Sequence, residues 1–318
     1  LSNATAISKL AVYYDWEDSA NGTLTNECPT TVNVTTLVTK PTNVQVGSRY
    51  EETDTRKMYH YNEKVPKFNY KFDELTGDVI NYGSGTNGNL TVTSLTRNVS
   101  GTPSGLGNGM NGNGSGQWAT SNATYKSDWK FLHDESKWSM TFWLKVLALP
   151  PSNDERYVLG NTWTDNAGRG FFVRITGVGS STTAKLSCGV TNGTTMACNL
   201  NSSDGMIPNL TGWHFYCITL DPTLGSNNMK ISCDTSETGV KYAEGTETGN
   251  GYSSSDPSYK ITFLARDSTN NNEKELNADI SQVTFWEDKI LTQDEKEAIY
   301  ASGNGTTSMP TEWKEEGT

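Results

Sequence analysis

The chain is poor in the residues that hold metals. Its three histidines, His60, His133 and His214, lie far apart, and none of its five cysteines forms a Cys-x-x-Cys pair. A zinc site needs such ligands at short spacing, so one of the usual kind is excluded. No stretch approaches the roughly 18 consecutive apolar residues that span a bilayer. Charged residues are only 19% of the chain and acids lead, giving a net charge of −11 and a pI near 4.8. An acidic surface repels phosphate backbones, which disfavours nucleic-acid binding. There is no Gly-x-Ser-x-Gly, no P-loop and no cluster of His and Cys nucleophiles. Helical and strand patterns do not alternate, so a doubly wound parallel sheet is out. The first residue is Leu1 and no signal peptide is visible. We expect the true start to have been removed, by processing or by choice of segment.

What the chain does have is aromatic area and turn formers. Hydrophobic residues are 34% and mean hydropathy is −0.60, yet 9 Trp, 14 Tyr and 9 Phe supply enough apolar surface for a core. With 30 Gly and abundant Ser, Thr and Asn, many turns and few helices are expected. From Trp138 the strand rhythm is regular: "WSMTFWLKVLAL", "RYVLGNTW", "GFFVRITGV", "AKLSCGV", "TMACNL", "GWHFYCITLD", "NMKISCDT", "YKITFLARD" and "ADISQVTFW". Turn signals every ~8–15 residues mark an all-β sandwich or barrel. "WSMTFWLKVLAL" is apolar on both faces, hence a central strand. The Gly/Asn-rich stretch 101–124 reads as tight turns inside the domain. Residues 1–66 read as an extended, β-rich segment: "TVNVTTLVTK" and "TNVQV" as exposed strands, "YEETDTRKMYHYNEKVP" as a charged loop, with Pro66 as a boundary. "YYDWEDSANGTLTN" faintly echoes "YKFDELTGDVINYG". Residues 306–318 read as an acidic tail.

Cys188 and Cys198 flank a hairpin with Asn192-Gly193 at its tip. Cys217 and Cys233 lie on the two sides of another, around "DPTLGSNN". Disulfides across these hairpins, or between them, are expected, with Cys28 left over. The alternative is five small buried hydrophobes. Eleven Asn-x-Ser/Thr sequons, at Asn3, Asn21, Asn33, Asn89, Asn98, Asn113, Asn122, Asn192, Asn201, Asn209 and Asn304, fit a secreted or surface glycoprotein. A composition rich in Asn, Ser and Thr also produces them.

The order "YKFDE…GLGNGM…SMTFWLKV…YVLGN…GFFVRI…GWHFYCITLD…MKISCD…ITFLARD…DISQVTFWEDKILTQDE" resembles the laminin-G-like and pentraxin-like members of the concanavalin A-type lectin/glucanase superfamily. The likeness covers residues 67–305. It implies an antiparallel two-sheet jelly roll, with the last strand beside the first and a short helix capping an open end of the sandwich. Thr292 is the expected N-cap with Glu295 as its capping-box partner; Ala298, Ile299 and Tyr300 would cover apolar edges, and Gly303 would end the turn. The superfamily's glucanases carry a Glu-x-Asp-x-x-Glu strand, which this chain lacks, so no enzyme is expected. Related modules often hold calcium, for which Asp73, Glu74, Asp165, Asn166, Asp267 and Asp279 are candidates. The adjacent Glu-Gln-Asp ligands of pentraxins are absent. For a glycan, the loop "NTWTDNAGRG" offers Trp163 as a platform with Asp165, Asn166 and Arg169 as polar groups.

Two functions compete: a surface lectin-like module that recognises glycans or surface proteins, and a structural subunit of an extracellular assembly such as a surface layer, filament or virion coat. The second would use residues 1–66 to add a strand to another copy.

Overall fold

Apolar side chains recurring on both sides of a strand force that strand between two covering layers, and this rule orders the molecule. The structure, a computed structural model, describes residues 46–52, 57–162, 168–179, 183–207, 212–246, 252–267 and 274–315. It divides into two units. One contains a three-stranded antiparallel sheet in the order β1 (Arg49–Glu52), β2 (Lys57–Glu63), β18 (Thr311–Glu315). The segment read as a charged loop is thus a hairpin, with Tyr50 opposite Tyr59. Its alternating tyrosines carry a strand propensity that the surrounding charges masked. Thr311–Glu315, inside the segment read as a tail, pairs with β2. The Thr/Val strands and the echoing segment of residues 1–45 lie outside the described residues.

The other unit, Val65–Ser308, is a sandwich. Its strands are β3 (Phe68–Tyr70), β4 (Thr91–Thr93), β5 (Thr96–Val99), β6 (Gly109–Asn113), β7 (Trp118–Thr120), β8 (Trp138–Val146), β9 (Glu155–Gly160), β10 (Arg169–Val178), β11 (Thr183–Asn192), β12 (Met196–Asn201), β13 (His214–Leu220), β14 (Met229–Cys233), β15 (Tyr242–Gly245), β16 (Thr262–Phe263) and β17 (Asn277–Glu287). A seven-stranded sheet runs β12-β11-β10-β9-β16-β7-β4, and an eight-stranded one runs β15-β14-β13-β8-β17-β6-β5 with β3 also on β17. The all-β, two-sheet antiparallel expectation therefore holds, as does the central place of β8, and β6 and β7 lie within the Gly/Asn-rich stretch.

The last long strand lies beside the first of the sandwich, with Val283 opposite Tyr70. β17 shares one edge between two strands, pairing with β6 over Asn277–Ile280 and with β3 over Val283–Phe285. A bulge between Ser281 and Thr284, where Gln282 takes φ of 43°, makes the change of partner possible. Asn69 pins it: its Oδ1 accepts from Gln282 Nε2 at 2.8 Å and from Thr284 Oγ1 at 3.1 Å.

Aromatic rings from both sheets meet in the core. Trp138 packs edge-on against Phe171 at 5.2 Å, and Phe263 meets Phe285 at 6.4 Å. Trp129 joins this core, stacked on Phe68 at 3.9 Å and edge-on to Phe285 at 5.2 Å. Trp129 belongs to a kinked 3-10 segment, Ala123–Leu132, that the strand rhythm did not announce; Asn122 caps it by accepting from the Thr124 N–H at 2.9 Å.

α1 (Gln293–Tyr300) carries the expected capping box. Thr292 Oγ1 accepts from the Glu295 N–H at 3.3 Å, and Glu295 Oε2 accepts from the Thr292 N–H at 2.8 Å. Three expectations for it are corrected. The left-handed turn begins at Ala301 (φ 48°) rather than waiting for Gly303, and Ala298 is exposed while Ile299 is buried. Nor does the helix cap an open end: Tyr300 stacks on Trp143 at 5.7 Å and meets Phe215 at 5.8 Å, and both lie on the face of the larger sheet turned away from the core.

The disulfide expectation also fails among the described residues: Cys188, Cys198, Cys217 and Cys233 are all free and buried. Register explains one pair. Cys217 lies opposite Ser232, and Cys233 opposite Tyr216, so their side chains leave opposite faces of the sheet. Cys198 instead contacts Met229 across the sandwich, sulfur to sulfur at 3.6 Å. Cys28 lies outside the described residues.

Two outcomes follow from this packing. Trp129→Ala is expected to cost about 3–5 kcal/mol in urea unfolding, because no neighbouring side chain fills an indole's volume. An alkylating reagent is expected to leave the four buried thiols unmodified in the native protein and, without reductant, to modify all four after denaturation, as read by mass spectrometry.

Candidate functional site

The outer face of the larger sheet is not wholly covered by α1. Along β13 and β14 the outward positions are Cys217, Thr219, Lys230 and Ser232, with Tyr242 of β15 continuing the row. The segment Ile290, Leu291, Thr292 and Gln293 rises beside them, and Lys296 of α1 reaches over. Together they form a cleft of about 240 Å³, rimmed by the hairpin residues Asp221, Leu224, Asn227 and Asn228 and by Glu237. The cleft falls just below the roughly 300–1,000 Å³ of pockets for drug-sized ligands, which suits a ring-sized one.

Each wall is fixed by its own chain. Ser139 of β8 donates to the Lys289 carbonyl at 2.7 Å and accepts from the Leu291 N–H at 2.9 Å, tying the strap before the helix to the sheet. Tyr242 donates from its hydroxyl to Glu244 Oε2 at 2.7 Å, and Asn227 Nδ2 donates to Glu244 Oε1 at 2.9 Å, so one carboxylate orients a ring and a rim amide. Burial and the nearby Glu244 push the Tyr242 phenol up, which keeps it a neutral donor. Burial likewise pushes the Cys217 thiol up to about 12, which makes it an inert part of the floor. Gln293 Nε2 donates to the Thr235 carbonyl at 2.9 Å and to Glu297 Oε1 at 2.8 Å.

A second cluster stands at the end of β14. Asp234 Oδ2 lies 2.8 Å from His214 Nδ1 and 2.5 Å from Lys241 Nζ, and Oδ1 accepts from the Phe215 N–H at 3.1 Å. Burial alone would raise the Asp234 carboxyl; the bonds from His214 and Lys241 outweigh it and hold the group down at about 2. His214, Cys233 and Asp234 also place three possible metal-ligand atoms within 4.8 Å of one another. The Lys241 ammonium, at 2.5 Å from Oδ2, already neutralises the carboxylate such a cation would share. The cluster was hidden in the sequence because His214 and Asp234 meet only through the β13–β14 register.

The sequence-derived candidates lie elsewhere. Trp163, Asp165 and Asn166 fall outside the described residues. Arg169 opens β10, its Nε donating to the Asp256 carbonyl at 3.1 Å and its N–H to Ser258 Oγ at 2.8 Å. Of the calcium candidates Asp73, Glu74, Asp267 and Asp279, no three come together. Each but Asp73 is engaged locally: Glu74 Oε1 accepts from the Ile80 N–H at 2.9 Å, Asp267 Oδ2 from the Lys260 N–H at 3.1 Å, and Asp279 Oδ1 from Asn111 Nδ2 at 2.9 Å. Burial raises the Glu74 and Asp279 carboxyls. Among the sequons, Asn89, Asn98, Asn113, Asn122, Asn201 and Asn304 are exposed and Asn192 partly so, whereas Asn3, Asn21, Asn33 and Asn209 are outside the described residues. No helix among the described residues is long and apolar enough to cross a membrane.

No protein-family model matches the chain, and no curated protein does. Solved structures do match. A crystal structure of the botulinum neurotoxin serotype D binding domain is 14% identical with a TM-score of 0.48, covering 75% of this chain and 51% of that one. The binding domain of botulinum neurotoxin DC in complex with SialylT is 15% identical with a TM-score of 0.48, covering 75% and 52%. A Ruminococcus gnavus IT-sialidase CBM40 bound to α2,3 sialyllactose is 13% identical with a TM-score of 0.39, covering 56% and 85%. The chain thus spans about half the length of the toxin domains it matches.

Asp234→Asn is expected to lower stability by about 2 kcal/mol at neutral pH, rather less than the roughly 2.6 kcal/mol of linkage between a carboxyl held at about 2 and an unfolded value near 3.9, because water reaches the group and screens its partners. A depressed carboxyl stabilises the fold above its unfolded value and ceases to as pH falls through its folded one. The gap between wild type and variant should therefore be full above about pH 5 and close toward pH 2, as measured by thermal unfolding across that range.

Proposed function

We propose that the chain is a recognition module that binds a saccharide in the cleft between β13–β14 and the start of α1, and that it works outside the cell or on a surface. The observation that carries this reading is the cleft's chemistry. A partly exposed tyrosine ring stands among hydroxyls, amides and side-chain charges, on a floor fixed by a sheet. Sugars present hydroxyls in fixed directions around an apolar ring face, and a rigid floor with polar groups pointing several ways reads them without rearrangement. The exposed sequons support the extracellular setting. The likeness in sequence order to concanavalin A-type lectins belongs to the same reading, with the site on a sheet face rather than in the 163–169 loop.

A second reading, a subunit of an extracellular assembly, draws on the separate three-stranded sheet β1-β2-β18. Native mass measurement discriminates: regular polymers favour the subunit and a monomer favours the module.

The labelled protein on a glycan array should mark a defined set of sugars, and Tyr242→Ala should lose about tenfold in affinity for them, equivalent to roughly 1.4 kcal/mol. A folded protein that marks nothing on a broad array rejects the reading.

A further inference from the structure

Lys296 is 7% exposed, the most buried lysine among the described residues, and its ammonium needs a counterion. The counterion is Glu237, whose Oε1 lies 2.7 Å from Nζ. The two partners are held differently. Lys296 is fixed in a helix that is itself pinned to the sheet. Glu237 sits on the connection between β14 and β15, outside any strand, with half of its side chain in water. The cation belongs to the scaffold, and the anion can leave.

The surroundings fit an exchange of anions. Lys230 stands on the same wall and adds its field at Glu237, whose carboxyl is held low first by the hydrogen bond from Lys296 and then by both charges. If Glu237 swings into solvent, the cleft lining presents Lys230 and Lys296 against Asp221, while Glu244, across the strand pair from Lys230, stays bonded to Tyr242 and Asn227. The protein's overall charge of −11 opposes an anion only at long range, and salt screens that repulsion beyond roughly 8 Å.

We propose that the cleft is selective for a carboxylate-bearing saccharide, and that Glu237 occupies the carboxylate's place on Lys296 until the ligand arrives. This rests on the saccharide reading above and names the class of sugar. A neutral sugar leaves Glu237 where it is and finds only hydroxyls and amides. A uronate exchanges one carboxylate for another on a buried ammonium. It keeps the charge-assisted bond, which is about twice as strong as a neutral one, and returns Glu237 to water. The hydroxyls of Thr219 and Ser232 and the Tyr242 ring remain for the rest of the sugar.

The probes are the methyl glycosides of glucose, galactose and mannose and the methyl glycosides of the matching uronic acids as free acids, which differ only in carrying a carboxylate at C6. They are titrated into the full chain and followed by backbone amide shifts. At least one uronate is expected to bind about tenfold more tightly than its neutral partner, with shifts at Lys230, Ser232 and Thr292. Glu237→Gln keeps an acceptor for Lys296 but removes the competing charge. It should tighten the uronate several-fold and so raise the ratio of uronate to neutral affinity above that of wild type. Lys296→Met should abolish the preference; should that variant fail to fold, Glu237→Gln decides alone. Equal affinity for acid and neutral partners, or a Glu237→Gln variant that binds the uronate no better than wild type, overturns the acidic-sugar inference while the saccharide reading stands. If none of the six sugars shifts a cleft residue, the saccharide reading falls and takes this inference with it.

Discussion

Strands β8, β13 and β17 place aromatic side chains on both faces of one sheet, and water must be kept from both. Toward the core this is done by the second sheet, through contacts such as Trp138 on Phe171. Away from the core, Trp143 and Phe215 are still nearly or wholly inaccessible, and the cover there is Tyr300. Aromatic pairs of this kind contribute about 0.5–1.5 kcal/mol each beyond their buried area. Such contacts, more than helix propensity, explain why an eight-residue helix persists at all, since isolated helices that short do not form in water. The capping box and the strap tied to Ser139 then set its direction.

That arrangement makes the cleft a consequence of the fold. A helix of eight residues is about 12 Å long, so it covers only part of a sheet whose strands lie ~4.8 Å apart. Beyond its first turn the outward side chains change character, from Trp143 and Phe215 to Cys217, Thr219, Lys230 and Ser232. The apolar half of the face is under the helix and the polar half is beside it. Ions are then partly buried at the border. Lys296 meets Glu237 at the cleft, and Asp234 joins His214 to Lys241 at the far end of β14. Removing one partner of such a pair leaves an uncompensated charge, so each pair holds its neighbourhood in register more firmly than its net energy suggests.

Much of this was legible in the sequence, and the failures have physical causes. Alternation and turn spacing located β8 to β14, β16 and β17, because those strands are bounded by Gly, Asn and Asp. Thr292 and Glu295 announced α1, because a capping box is a local motif. What periodicity cannot see is register. The bulge at Gln282, the opposite facing of Cys217 and Cys233, and the meeting of His214 with Asp234 all depend on which residue sits across from which. A slip of one position would reverse each of them. The candidate site was missed for the same reason. Cys217 and Gln293 are far apart along the chain, and neither carries a motif; the fold alone makes them neighbours. Of the acids chosen as calcium candidates, Glu74, Asp267 and Asp279 already accept hydrogen bonds from their own surroundings, which composition alone does not reveal.

The position of the cleft bears on what kind of ligand it can hold. A site on rim loops gains adaptability and loses preorganisation, because loop residues must be ordered on binding. Here the floor is two hydrogen-bonded strands and the wall is a capped helix, so ordering the protein costs little. The element that stands half in water is the Glu237 side chain. A ligand that binds must therefore repay one thing above all, the separation of Glu237 from Lys296. Neutral hydroxyls cannot match a carboxylate at a buried ammonium, and a bulky peptide side chain would have to pass the Tyr242 and Asn227 rim that Glu244 holds in place. A small ring bearing its own carboxylate would meet both demands, which is the physical ground for the exchange proposed at Lys296.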